Sequence, residues 1–275
     1  MKTKTALLLC CACYSATATS QSLRYVAALP YIGLEAYSKQ QVSPFSFTAN
    51  PAALAQVKHV SFGVYGERRF MLAPLAYYCL ATVLPTRLGN LGLQFNYGGY
   101  KNFNENRIGL AYARSLGRKL DIGIQFNYYG YRIPGYGNAS TINFEAGAIV
   151  HFTEQLHFGI HIYNPVAGKL GKGSKEKLAA VYKAGLGYDA SDHFYAGVFV
   201  TKEEDKPVNV TAGVQYHFSR LFFARAGIAS ESTVFFAGAG VVWKKLRVDI
   251  SVSHHPQLGF SPGLLLIMNL KENTK

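Results

Sequence analysis

The run Thr141-Ile142-Asn143-Phe144-Glu145-Ala146-Gly147-Ala148-Ile149-Val150-His151-Phe152-Thr153 carries the period that decides the fold. Ile142, Phe144, Ala146, Ala148, Val150 and Phe152 fall on one side of a two-residue repeat. Thr141, Asn143, Glu145, Gly147 and His151 fall on the other, with Ile149 the exception. A strand sends successive side chains to opposite faces, so the segment predicts a strand with one apolar and one polar side.

The same period recurs on both sides of this run. Leu120, Ile122, Ile124, Phe126 and Tyr128 oppose Asp121, Gly123, Gln125 and Asn127. Val208, Val210, Ala212, Val214, Tyr216 and Phe218 oppose Asn209, Thr211, Gly213, Gln215, His217 and Ser219. Leu246, Val248, Ile250 and Val252 oppose Arg247, Asp249, Ser251 and Ser253. Strands are expected near 57–66, 70–84, 87–100, 104–116, 119–131, 140–153, 155–164, 178–190, 192–202, 207–219, 221–229, 232–243, 246–255 and 259–270. Most reach the roughly 9–11 residues that a tilted strand needs to cross a bilayer. Strands of a soluble sandwich are more often about 5–6 residues long. No apolar run after residue 20 is long enough for a membrane helix. A membrane form must therefore be a closed barrel, because lipid cannot satisfy an open sheet edge.

The connections agree with that reading. Those after strands 2, 4, 6, 8, 10 and 12 are short: Pro85-Thr86, Gly117-Arg118, Glu154, Ser191, Arg220 and Lys244-Lys245. Those after odd strands tend to be longer, as at 101–103, 132–139, 165–177 and 203–206. Barrels of bacterial outer membranes have short periplasmic turns and longer outer loops, which places the N-terminus on the periplasmic side. Aromatics gather near the strand ends: Tyr97, Tyr100, Phe103, Tyr128, Tyr129 and Tyr131 toward the outer rim, and Tyr188, Phe194, Phe218, Phe222 and Trp243 toward the other. Two such girdles are expected where rings sit at headgroup level.

Residues 1–20 read as a secretory signal: Lys2 and Lys4, then an apolar stretch from Thr5 to Cys13, then Ala18-Thr19-Ser20 before Gln21. Acylation of Cys10, Cys11 or Cys13 is the alternative, without a convincing lipobox around any of them. Past the signal only Cys79 remains, so no internal disulfide is available, and Cys79 reads as a small hydrophobe. The chain carries 28 Lys and Arg against 15 Asp and Glu, and loss of Lys2 and Lys4 leaves a net +11. In a chain with 19 Tyr, 18 Phe and 27 Gly, that charge suits anionic lipid headgroups rather than nucleic acid.

Residues 21–56 lack clean alternation and read as a plug-like segment tucked into the barrel mouth or as a periplasmic leader. On the inward face Arg107, Asp121, Glu145, Arg247 and Asp249 are the candidate lumen charges, either bracing the wall or forming a selectivity ring. Ser253 and His255 share a face with Asp249, but no spacing implies a working nucleophile. His254 and His255 diverge and lack a third metal ligand, so neither enzyme activity, metal nor cofactor is expected.

Asn50-Pro51-Ala52-Ala53-Leu54, just before the first strand, resembles the "NPA" signature of the FadL superfamily of fourteen-stranded outer-membrane barrels. The likeness is closer to the branch containing the PorV and PorQ proteins of type IX secretion. Gly159-Ile160-His161-Ile162-Tyr163-Asn164-Pro165 and the last hairpin, Leu246 to Gly259, share it. The barrel is expected over residues 57–271, and the polar tail at 272–275 departs from the family, whose barrels commonly end on an aromatic. The resemblance implies an accessory of protein secretion and surface attachment, with a larger secretion complex or its cargo as partner. The alternative it offers is passage of hydrophobic compounds, as in FadL-like members. A soluble secreted sandwich that binds a glycan is the third expectation.

Overall fold

The structure, a computed structural model, describes residues 30–135, 137–166, 178–204 and 206–270. The proposed signal, its cysteines and the tail at 272–275 lie outside the described residues. The wall begins with β1 (Ser61–Arg68), β2 (Ala76–Thr86), β3 (Gly89–Tyr100), β4 (Phe103–Leu116), β5 (Leu120–Ile133), β6 (Gly137–His151) and β7 (Leu156–Tyr163). It continues with β8 (Val181–Asp189), β9 (Phe194–Glu203), β10 (Asn209–His217), β11 (Phe222–Ala229), β12 (Val234–Trp243), β13 (Leu246–His255) and β14 (Gly259–Asn269). Each pairs antiparallel with its sequence neighbours, and β1 closes on β14 with Ser61 opposite Asn269. This is the closed fourteen-stranded barrel that the alternation implies. Among the described residues no helix is long and apolar enough to cross a membrane.

Alternation holds around the wall. Leu110, Phe126, Ile142 and Ile250 point outward and are more than half exposed, while Gln125, Asn127, Asn143 and Glu145 point inward and are buried. An exterior of this kind would be a liability in water and is matched to lipid. The end where β1 begins and β14 finishes, called here the terminal end, carries exposed Tyr188, Phe218, Phe222 and Trp243 as expected. At the distal end Tyr100 and Tyr128 are exposed, but Tyr129 is not part of a girdle. Odd positions of β5 face the lumen, so Tyr129 is fully buried there against Leu178.

Four strand starts differ from the expected ones by three residues or more. β1 starts at Ser61 because Val57 still belongs to the preceding segment, its carbonyl accepting from Asn90 Nδ2 at 2.8 Å. β2, expected from 70, starts at Ala76 because 69–75 carry two short 3-10 turns, Arg69–Met71 and Ala73–Leu75. β8 starts at Val181 because Leu178 is drawn inward, its carbonyl accepting from Asn164 Nδ2 at 2.6 Å. The expected loop at 132–139 is largely ladder instead, with Arg132 opposite Asn138 and Ile133 opposite Gly137. Gly135 at φ 85° and Gly137 at φ 118° permit so tight a reversal. Loop asymmetry is consequently carried by two distal connections, 69–75 and 164–180, and not by every one.

The segment before β1 lies inside the barrel. It comprises α1 (Pro30–Glu35) and short 3-10 turns at Ser46–Thr48 and Pro51–Gln56. Ile32, Leu34, Phe45, Phe47 and Leu54 are fully or almost fully buried and join one apolar core with Ala81, Val83, Ala113, Phe236 and Leu265 of the wall. Ile149, the exception to the alternation, belongs to this core. It is apolar on an inward face because the plug, not solvent, lies opposite. Cys79 likewise points inward and is buried in the same core.

Candidate functional site: the plugged lumen

The Asn-Pro turn is seated on glycines. Asn50 is extended (φ −153°, ψ 115°) and caps the Pro51 turn, its Oδ1 accepting from the Ala52 amide at 3.0 Å. Its Nδ2 donates to the Ile160 carbonyl on β7 at 3.1 Å. Gly123 and Gly147 stand opposite each other on β5 and β6 directly beneath. A Cβ on Gly123 would come within 2.6 Å of the Ala52 nitrogen, and one on Gly147 would overlap the Asn50 side chain. Asn50, Pro51 and Ala52 are thus the foot of the plug, and all three are buried.

Polar latches tie the plug to the terminal half of the wall. Gln56 Nε2 donates to Asp121 Oδ2 at 2.6 Å, and the same oxygen meets His151 Nε2 at 2.8 Å. His151 Nδ1 lies 2.9 Å from His157 Nδ1, and His157 Nε2 lies 3.1 Å from Asp189 Oδ2. Asp189 accepts from Ser38 Oγ at 2.6 Å and from the Lys39 amide at 3.0 Å, which returns the chain of bonds to the plug. A nitrogen-to-nitrogen contact of this kind is a hydrogen bond only when one ring donates and the other accepts.

On the opposite side Glu35 of α1 accepts from Arg225 Nη1 and Arg247 Nη2, both at 2.7 Å. Asp249 accepts from the same two arginines at 2.6 and 2.7 Å. Two cations and two anions form a neutral buried knot, and both guanidiniums lie 4.8 Å from the Phe223 ring. Burial also raises the Tyr37 phenol, in the plug, well above its ordinary range, so it is neutral there.

The distal half of the lumen holds a second network. Arg107 pairs with Glu145 and donates from Nε to Asn127 Oδ1 at 3.0 Å. Glu145 Oε2 meets His161 Nε2 at 2.7 Å, and Glu145 Oε1 accepts from Asn127 Nδ2 at 2.9 Å. Asn127 donates to Asn143 at 3.0 Å, and Asn143 donates to the Tyr163 hydroxyl at 3.0 Å. The Arg107 guanidinium lies 5.1 Å from the Tyr163 ring.

The five charges read from the sequence all face inward, but they do not make one ring. Arg107 with Glu145, Arg247 with Asp249, and Asp121 with His151 occupy three separate places. Glu35, His151, His157, His161, Asp189 and Arg225 complete these networks and were not singled out. His151 stood on the polar side of its alternating strand, which was a usable signal. Glu35 lies in the segment without period, and nothing in the sequence tied it to Arg225.

His255 is not poised to activate Ser253. Its Nδ1 accepts from the Gln257 and Leu258 amides, each at 3.2 Å, which fixes the ring in the β13–β14 turn. His254 faces the other side of the sheet, 4.6 Å from the Phe260 ring. Among the described residues no group of three or more His, Cys, Asp or Glu side chains is arranged to hold a metal.

No protein-family model matches the chain, and no curated protein matches it. Solved structures do. The CymD monoaromatic hydrocarbon channel superposes with a TM-score of 0.66 at 12% identity, covering 85% of this chain and 94% of that one. This is the fold of FadL-type barrels. The toluene transporter TbuX of Ralstonia pickettii gives 0.64 at 12% identity, over 83% of this chain and 94% of that one. A FadL homologue of Pseudomonas aeruginosa gives 0.54 at 12% identity, over 82% and 93%. The likeness extends to the FadL-type barrel and lends nothing to the secretion-associated branch.

Proposed function

We propose that this chain is a non-enzymatic outer-membrane barrel that passes small hydrophobic compounds. The observation that carries the reading is the correspondence of nearly the whole wall with a monoaromatic hydrocarbon channel. The apolar exterior supports it, as does a lumen closed by an N-terminal plug, which suits a controlled passage better than an open aqueous pore. In this reading the terminal end faces the periplasm. Uptake of radiolabelled toluene by cells that lack the protein, and by the same cells complemented, tests it. Slower uptake in the deletion, restored on complementation, is the expected result. Equal uptake in both would sink it.

The accessory role in secretion draws on one feature, the filling of the lumen by buried polar side chains such as Arg107 and Glu145, each 1% exposed. Such a barrel can serve as a rigid partner without conducting anything. Unchanged toluene uptake together with loss of surface-attached proteins in the deletion would favour it.

A further inference from the structure

The outer wall bears a depression of about 490 Å³ across β2 to β5. The register sets its sides in two rows, Leu93, Leu110 and Phe126 in one and Leu91, Tyr112 and Ile124 in the next toward the terminal end. Between the rows Gly92 and Ala111 pair and turn inward, so nothing fills the floor from the wall itself. Tyr112 is bent toward the rim. Its hydroxyl donates to the Leu88 carbonyl at 2.7 Å, and its ring lies where a Cβ on Gly89 would come within 2.7 Å. That bend leaves the space above it open.

Below the apolar rows the chemistry changes sign. Arg114 shares the outward parity of Leu110 and Tyr112 and stands opposite Ile122, one row nearer the rim. Arg87 lies in the adjoining turn, and Arg118 and Lys119 lie in the next one. All four are exposed, and none is paired with a described carboxylate. Two residues of strand separate Arg114 from Tyr112, roughly 7 Å along the wall. A phosphate held at Arg114 would therefore place the upper carbons of its acyl chain in the depression.

We infer that this face holds one anionic phospholipid, with an acyl chain between the two rows and its phosphate between Arg87 and Arg114. The occupant is a phospholipid and not a lipid A because the site is at the terminal end; this step rests on the periplasmic orientation proposed above. Arg114 sets this face apart: it is an outward cation within the strand itself, directly below the depression, whereas Lys244 and Lys245 on the far side lie in a turn.

The mature barrel, extracted in mild detergent, stripped of lipid and titrated with equimolar phosphatidylglycerol and phosphatidylcholine, would be read by native mass spectrometry. One retained phosphatidylglycerol in clear excess over phosphatidylcholine is expected. Arg87→Gln with Arg114→Gln should lower that adduct roughly thirtyfold, as two headgroup contacts imply. Leu110→Trp, which fills the depression, should weaken both lipids, whereas Lys244→Gln with Lys245→Gln on the far side should change nothing. Heat-modifiable gel migration confirms that each variant is folded. No preference in the wild type, an undiminished adduct in the Arg87/Arg114 variant, or displacement of phosphatidylglycerol by added lipid A would overturn the site. Toluene uptake is measured separately, so an intact lipid adduct with absent uptake overturns the transport reading alone.

Discussion

Arg107 on β4 and Glu145 on β6 meet inside the wall across the intervening β5, and neither has more than 1% of its side chain exposed. A pair so placed is a constraint on its neighbours more than a source of stability, because two desolvated charges roughly cancel their own attraction. Glu145 also anchors His161 and Asn127, so the pair organises the whole distal network.

Glu145→Gln should cost about 3–5 kcal/mol in unfolding free energy, since it takes the paired carboxylate away from a buried guanidinium. The double variant Arg107→Met with Glu145→Met should cost less than the sum of its single variants. Urea titration of the refolded barrel in detergent, followed by tryptophan fluorescence and gel migration, measures both. Simple additivity would show that the two side chains act independently.

Gly147→Ala should destabilise by roughly 1–3 kcal/mol, because its new methyl overlaps the Asn50 side chain. Asn50→Ala removes a cap and a bond to the Ile160 carbonyl and should cost about 1–2 kcal/mol. Placed together, the second alanine relieves the overlap made by the first. The combined loss should fall below the sum, as read by the same titration.

Glu35→Ala removes one of the two carboxylates that Arg225 and Arg247 share and loosens α1 from the wall. Cys79 reports on this, because it is buried inside the barrel and is the one cysteine past residue 13. Maleimide labelling of the folded wild type should be slow, and that of Glu35→Ala should be faster by about tenfold, as a local opening favoured by roughly 1.4 kcal/mol implies. Equal rates would mean that the knot does not hold the plug.

Leu110→Arg puts a charge on the outward face midway along β4, where Leu110 is 62% exposed. Transfer of that face into lipid should then cost about 2–4 kcal/mol. Refolding into phosphatidylcholine vesicles, scored by the heat-modifiable fraction, should drop accordingly. Unimpaired refolding would argue that this face does not meet hydrocarbon.

The wall was legible because period two is a local property: each strand announces both its faces, and closure follows from what lipid forbids. The lumen was only half legible. Parity put Arg107, Asp121, Glu145, Arg247 and Asp249 inward, yet their partners come from distant strands or from a segment with no period. Ile149 looked like an error in the pattern until the plug supplied a reason for it. Tyr129 was misplaced because an aromatic near a strand end is ambiguous unless its parity is counted. Loop lengths misled at 132–139, where glycines let a ladder run on through residues that read as a connection.

Closure joins Ser61 to Asn269, so the first strand of the wall needs the last. Phe45 and the apolar residues around it share their core with Leu265 and Ile267 of β14. A chain that stops before β14 would therefore keep two faults at once, an unsatisfied edge and a bared interior. Truncated products should accordingly be marked for disposal by the same surfaces that the finished molecule hides.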